Sequence, residues 1–483
     1  MDKNLILASN RGPVEFYKDN GTVKTRKGSG GLVSTLLPLM ENINGKWVAA
    51  ALNPVDVEVA SKYSDNIVPI PEENTQFYVP FLTFNQEVFN DYYNVISNSV
   101  LWYVHHYLWT QSKSDKDKEE LYKSWENGYK PVNIAFAEQI NHLISPSKTN
   151  IVMLQDYHLY LTASYIRKNR DDLILTQFIH VPWPRADYFS TLPDYMRYPI
   201  LDSLLSNDIV GFHIPGYVDN FLESSKEIAD EIDFKNKLIN YNGRVVHVKY
   251  YPISIDTKGL NDLKNDSGVF ECEKFIEKIK GDKFLIYRTD RADLSKNILR
   301  GFEAYDIFLE KYPEYQGQVV FLATSKPTRE NLPDYRKYRH AIEDMIEKIN
   351  SKYSKDNWKP IEEVFNAPYR MVVAALKNYD CLLVNPICDG MNIVSKEGSF
   401  LNEKNGTVIL SKEAGSHYEL QEQVISVDPF DINETAEALH EAVAMGEEER
   451  INRCSGLKGL IKENTLSDWI KEQFSDIKEL IGD

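Results

Sequence analysis

The chain has 483 residues, 42% of them hydrophobic and 12% aromatic; that is more than one hydrophobic core usually serves and enough apolar surface to exclude a disordered chain. A formal net charge of -17 and a pI near 5.2 exclude nucleic acid and anionic membranes as main partners, so a phosphate site must be a local basic cluster in an acidic protein. Four cysteines without CxxC spacing exclude a zinc or disulfide framework, and Cys381 and Cys388 read as small core residues. No stretch reaches the roughly 20 apolar residues of a membrane span. With no signal-peptide core near Met1, a soluble, cytoplasmic protein is expected.

Residues 5–8 predict a buried strand running into Ser9-Asn10-Arg11-Gly12-Pro13. A polar, hairpin-like section leads to Gly28-Ser29-Gly30-Gly31-Leu32-Val33, a glycine-rich loop opening an apolar helix. Such a loop either lets backbone approach an anion or is a flexible surface loop. Residues 91–102 carry aromatics out of simple helical phase, most of them core. The charge run 112–120 reads as a solvated loop or helix face. It holds Asp115-Lys116-Asp117, which is not read as a metal site because it lies away from any strand end.

Helical spacing resumes at 131–144, and strands at 151–154, 173–179, 208–212 and 245–248 then alternate with helices at 159–168 and 217–232. That alternation predicts βαβ units and a parallel sheet, with active residues at the carboxyl ends of strands. Asp156 and His180 occupy such positions. Residues 251–256 and the polar stretch 257–268 read as a linker. A second alternation follows: strand 283–287, loop 288–297, helix 298–311, strand 319–323, helix 334–351 and strands 381–384, 407–410 and 424–427. In 466–481, Leu466, Trp469, Ile470, Phe474, Ile477, Leu480 and Ile481 recur at three- and four-residue spacing and predict an amphipathic helix.

The segment Cys388-Asp389-Gly390-Met391-Asn392-Ile393-Val394-Ser395-Lys396-Glu397 follows the apolar run 381–384 and the stop Asn385-Pro386. A strand-turn-helix aims free N–H groups and the positive end of the helix dipole at what sits above the strand, which suits a phosphate. Asp389 would lie at the mouth and Glu397 two turns down the helix, one carboxylate for sugar hydroxyls and the other for a ribose. The alternative is an ordinary Asp-Gly turn with Lys396 and Glu397 on a solvated face. Arg291 and Lys296, five residues apart, suit a diphosphate whose charge grows as it leaves, or else pair with Asp290 and Asp293. His105, His106, His158 and His213 read as structural, and the region of Trp183 and Tyr188 as packing or a lid.

Asn10-Arg11-Gly12-Pro13-Val14, Gly30-Gly31-Leu32, Tyr93 with Trp102, Asp156-Tyr157-His158-Leu159, His180-Val181-Pro182-Trp183-Pro184, Gly211-Phe212-His213, Pro252-Ile253-Ser254-Ile255, Asp290-Arg291 with Lys296, Pro327-Thr328-Arg329 and Asp389-Gly390-Met391-Asn392 stand in one order. In that order and spacing the chain resembles the trehalose-6-phosphate synthase family of retaining glycosyltransferases over about residues 5–450. The resemblance implies an α/β fold of GT-B architecture, two Rossmann-like domains facing across a cleft. The acceptor-binding domain would be 1–252 and the nucleotide-sugar-binding domain 253–463, with a C-terminal helix in 464–483 crossing back to the first domain. It implies transfer of glucose from UDP-, GDP- or ADP-glucose to glucose-6-phosphate, giving α,α-trehalose-6-phosphate by front-face attack with the leaving diphosphate as base. No metal or other cofactor is implied, and a homo-oligomer is left open.

By the same resemblance, Arg291 and Lys296 would grip the donor diphosphate with backbone at Gly30, Gly31, Gly390, Met391, Asn392 and Ile393. Glu397 would hold the ribose, and Asp389 and His180 the donor glucose. Arg11, Tyr93 and Arg329 would bind the acceptor phosphate, while Trp102 and Asp156 position the acceptor sugar. Gln155, Ile393 and Ser395 depart mildly from the family pattern. The segments 9–16 and 288–297 and an insertion at 401–406 resemble the branch with the validoxylamine-7'-phosphate synthases, which are pseudo-glycosyltransferases. That reaction and a catalytically silent sugar-phosphate sensor are the alternatives; the complete set Arg11, Tyr93, Trp102, Asp156 and Arg329 favours glucose-6-phosphate.

Overall fold

Apolar runs such as Leu5-Ile6-Leu7-Ala8 are buried on both faces, the pattern of strands inside a parallel sheet covered by helices. The computed structural model describes residues 3–28, 33, 45–71, 76–109, 115–168, 170–355 and 357–482. The chain divides into two units, Met1–Pro252 together with Leu466–Asp483, and Ile253–Thr465.

The first unit carries a ten-stranded sheet in the order Glu231–Asp233, Leu238–Tyr241, Arg244–Tyr250, Ile209–Phe212, Leu173–Phe178, Thr149–Gln155, Lys3–Arg11, Lys46–Ala50, Gln76–Leu82, Ile67–Pro71. The seven strands from Arg244–Tyr250 to Gln76–Leu82 are parallel, and antiparallel strands finish both edges. Chain order reverses between Lys3–Arg11 and Thr149–Gln155, which pair with Leu5 opposite Ile151. Arg11 and Asp156 therefore leave the sheet side by side at its topological switch point.

The out-of-phase aromatics have a physical cause. Asp91–Leu101 winds as a π-helix, and two of its serines bond back five residues, Ser97 Oγ to Tyr92 O and Ser99 Oγ to Asn94 O, both at 2.8 Å. A second π segment, Trp125–Tyr129, packs against it through Gly128, where a Cβ would come within 2.4 Å of Asp91 Cβ.

The second unit is a six-stranded parallel sheet in the order Ile361–Phe365, Val319–Lys326, Phe284–Arg291, Cys381–Val384, Thr407–Ser411, Ile425–Val427. By chain position that order is third, second, first, fourth, fifth, sixth, the dinucleotide-binding arrangement, with its switch point between Phe284–Arg291 and Cys381–Val384. Both units are thus Rossmann-like α/β layers, the building blocks of the GT-B class.

Several sequence expectations need correction. The stretch 257–268 is not a linker: Asp256 caps a helix, Thr257–Leu263, by accepting from Gly259 N, and Ser267 starts another, Ser267–Lys280. Only Leu260 of the first is buried, so no apolar period betrays it. The helix expected at 217–232 ends at Ser225 and gives way to an edge strand. Helix 159–168 is a 3-10 turn, Tyr157–Leu159, followed by Thr162–Arg167. The charge run enters a helix at Asp115, and residues 112–114 lie outside the described residues.

The helix Leu466–Ile481 buries Leu466, Trp469, Gln473 and Ile477 along one stripe. Asp476 anchors it, accepting from Lys249 Nζ at 3.1 Å and Tyr251 Oη at 2.6 Å. Among the described residues, no helix is long and apolar enough to cross a membrane.

Gly128→Ala should destabilise the first unit by about 1–3 kcal/mol, because its new methyl overpacks a backbone contact. Gly459→Ala, inside the helix Glu447–Glu463 with nothing within 4 Å, should hold or raise the thermal midpoint, since alanine favours a helix over glycine; scanning calorimetry of the pair checks this.

Candidate active site

In the second unit the site begins where Phe284–Arg291 ends. The chain makes a 3-10 turn, Leu294–Lys296, fixed by Asp293 Oδ1 accepting from Ser295 N and Oγ, both at 3.1 Å. Asn297, at φ 57°, turns into the helix Ile298–Lys311, and its amide donates to Asn385 O at 3.0 Å and Pro429 O at 2.7 Å. Ile387 N answers with a 2.8 Å bond to Ser295 O. The two strand ends flanking the switch point are thereby joined.

Lys296 Nζ forms an ion pair with Asp389 Oδ2, which also accepts from Asn392 Nδ2 at 3.0 Å. Burial opposes the lysine's charge, but Asp389 and then Asp290 outweigh it and hold the ammonium above its ordinary range. Arg288, 2% exposed, donates to Asp290 Oδ2 at 2.9 Å and Lys296 O at 3.0 Å. Arg291 is exposed at the strand's end and acts electrostatically on Lys296. Three cations thus stand against two carboxylates beside the positive end of the helix Ile393–Leu401, which Asn392 caps through Ser395 N at 3.0 Å.

The turn at Gly390 is held from behind by a residue the sequence reading missed. Gly415 N bonds Asp389 O at 3.0 Å, Ser416 N bonds Met391 O at 2.6 Å, and a Cβ on Gly415 would fall 2.0 Å from Gly390 O. Nothing in the local sequence marks Gly415, since its contact is with chain 25 residues earlier by number. Lys396 is not on a solvated face: it is 2% exposed, bonds Ile253 O at 2.8 Å and pairs with Glu419. Glu397 accepts from Tyr369 Oη at 2.8 Å, and burial pushes its carboxyl up to about 7.

Arg329 also lies in this unit, with a positive φ of 48°. Its guanidinium pairs with the wholly buried Asp293 and donates to Tyr335 Oη at 3.2 Å. Asp290 and Asp293 form ion pairs with Arg288 and Arg329, cations the local reading did not consider for them, while Asp290 also acts electrostatically on Lys296.

In the first unit, Asp156 leaves its strand at φ 70°, a strained backbone held by Asp156 N to Phe178 O at 2.7 Å and Gln177 Nε2 to Asp156 O at 3.2 Å. Its Oδ1 accepts from His180 N at 3.2 Å, and burial pushes the carboxyl up to about 7. His180 is held down at about 4 by burial and is neutral at pH 7. With Gln155 Oε1 accepting from Nε2 at 3.0 Å, Nδ1 presents a lone pair.

The π-helix delivers its aromatics to the same loop. Tyr93 stacks on His158 with centroids 5.9 Å apart, Trp102 lies 6.0 Å from Tyr157, and Tyr92 Oη donates to Asn10 Oδ1 at 3.0 Å beside Arg11. Arg11 itself lines a cavity of about 290 Å³ with Gly12, Glu15, Arg26, Gly28 and Asp56. Gly30 and Gly31 lie outside the described residues. His105 bonds Pro182 O and Tyr160 Oη, and Trp183 is fully buried with Nε1 on Ser224 Oγ, so both are packing groups. Among the described residues no cluster of His, Cys, Asp and Glu is arranged to hold a metal.

A model of glycosyltransferase family 20 matches residues 3–479. The chain is 30% identical over 475 residues to an alpha,alpha-trehalose-phosphate synthase [UDP-forming] of Schizosaccharomyces pombe, covering 97% of this chain and 89% of that protein. A solved structure described as trehalose-6-phosphate from E. coli bound with UDP-2-fluoro glucose matches with TM-score 0.84 at 25% identity, covering 98% of this chain and 99% of that one. An alpha,alpha-trehalose 6-phosphate synthase structure from Burkholderia multivorans matches with TM-score 0.85 at 25% identity, over 100% and 98% of the two chains.

Arg329→Ala should cost about 3–5 kcal/mol, because it strands the buried Asp293 carboxylate. The double variant Arg329→Ala/Asp293→Ala should recover a large part of that loss in chemical denaturation.

Proposed function

The chain belongs to glycosyltransferase family 20, and from that premise we propose that it moves glucose with retention from UDP-glucose to glucose-6-phosphate, forming α,α-trehalose-6-phosphate. One observation carries this reading: Lys296 and the Asp389-Gly390-Met391-Asn392 turn are locked together at the switch point of a dinucleotide-binding sheet. A nucleoside diphosphate fits that place by charge and by helix dipole.

In this reading Arg291 and Lys296 stabilise the charge that grows on the departing diphosphate, the electrostatic work a divalent cation would otherwise do. Backbone at Gly390, Met391, Asn392 and Ile393 assists, Glu397 takes the ribose, and Asp389 and His180 hold glucose hydroxyls. The lone pair on neutral His180 Nδ1 suits a hydroxyl donor. Gly30 and Gly31 are kept as diphosphate donors on the sequence pattern alone. On the first unit, Arg11, Tyr93, Trp102 and Asp156 engage glucose-6-phosphate, and Arg329 joins them while neutralising Asp293. The acceptor hydroxyl attacks the face the diphosphate leaves, and a diphosphate oxygen takes its proton. An Asp156 carboxyl held near 7 and already bonded to His180 N suits positioning of the acceptor better than nucleophilic attack. Four cysteines with free thiols support a reducing compartment, the cytoplasm.

The test is nucleoside-diphosphate release from UDP-, GDP- and ADP-glucose with glucose-6-phosphate, glucose or no acceptor, with the product's anomeric configuration read by NMR. UDP release that requires glucose-6-phosphate and an α,α product are expected. Donor binding without turnover would overturn the reading in favour of a pseudo-glycosyltransferase or a sugar-phosphate sensor. Lys296→Ala should lower kcat by about 10²-fold or more, since its stabilisation is realised in the transition state; an unchanged kcat with a raised donor KM would reduce the lysine to a binding role.

A further inference from the structure

One polar contact in the second unit is not used by the reaction as described. Tyr369 opens the helix Tyr369–Asn378, is 39% exposed, and gives its hydroxyl to Glu397 Oε1 at 2.8 Å. It reaches that place because the strand Ile361–Phe365 turns through Asn366 at φ 54° into the helix start. Glu397 arrives from the helix after Cys381–Val384, so the bond spans two crossovers of the sheet.

The ionisable groups facing this pair are Tyr287 on Phe284–Arg291 and Asp256 at the cap of Thr257–Leu263, with Asp290 beyond Tyr287. None of these is a cation. Lys396, the adjacent residue, turns away to Ile253 O and Glu419. The phenol is therefore the group that fixes the Glu397 carboxylate, and among the described residues no protein donor meets Oε2. A carboxylate with one oxygen satisfied and the other unmet is set to receive a hydroxyl.

We propose that Tyr369 is a positioning residue for the donor's ribose: its hydroxyl fixes Glu397 through Oε1 so that Oε2 accepts a ribose hydroxyl. This rests on the reading of the second unit as the nucleotide-sugar half. The phenol also opposes the effect of burial on Glu397, favouring its ionised form. Without it, the carboxylate takes up a proton at higher pH and loses its charge-assisted bond to the ribose.

Calorimetric titration of UDP and of 2'- and 3'-deoxy UDP between pH 6 and 8.5 tests the proposal on wild type, Tyr369→Phe, Glu397→Gln and the double variant. The Phe variant keeps the packed ring. It should bind UDP about 5- to 10-fold more weakly at pH 7, the size of one ordinary net hydrogen bond. The pH at which affinity falls should rise, the penalty for a deoxyribose should shrink, and Tyr369→Phe should add little in the Glu397→Gln background. Tyr369→Phe binding UDP as wild type does, with the same pH profile, would overturn the inference and leave the donor reading intact, as would equal losses in both backgrounds. Wild type that fails to bind UDP would sink the donor reading, and the inference with it.

Discussion

The ion pair between Lys296 and Asp389 is the contact on which the second unit's site depends. It closes the switch point from above, while Asn297, Asn385, Ser295 and Ile387 close it from below through backbone and amide bonds. A lysine left alone at this depth would shed its proton, and an aspartate alone would keep one. Together they stay charged, which keeps a cation ready at the strand end and a carboxylate ready beside it. Gly415 sets how closely the turn can approach, and Asn392 sets where its helix begins.

The first unit solves a different problem with different means. Among the described residues its switch point has no comparable lysine–aspartate pair; Asp156 and His180 are both held in their neutral direction by burial. Shape is supplied instead by aromatic stacking from a π-helix. The wider winding moves each successive side chain away from the α-helical stripe, and this brings Tyr92 to Asn10, Tyr93 to His158 and Trp102 to Tyr157. Within the first unit the arrangement is thus aromatic and hydrogen-bonding, whereas the second unit's is built on paired charges.

Much of this was legible in the chain because it rests on local spacing. The helices at 298–311 and 466–481 stand at the residues where their apolar periods begin and end. Asp156, His180 and Asp389 follow strands whose apolar runs are unmistakable. What escaped depends on partners far away in sequence. Lys46–Ala50 is too short to show a period, and Gln76–Leu82 and Ile67–Pro71 contain prolines that argue against a strand until their antiparallel pairing with each other is seen. The pairing of Arg329 with Asp293, 36 residues earlier, is likewise invisible in the local sequence. Lys396 reads as solvent-facing until Glu419 and Ile253 O bury it. Gly415 and Tyr369 carry no motif at all; only the fold shows what they touch.

The helix Leu466–Ile481 belongs to the unit that the ribosome makes first, yet it is synthesised after the whole of Ile253–Thr465. Until it emerges, Phe178, Gly211 and Tyr251 lack the cover that Trp469, Gln473 and Ile477 provide. At the usual pace of translation that interval lasts roughly 10–40 s. The nascent first unit therefore carries an uncovered apolar seam beside His180 until that helix is made.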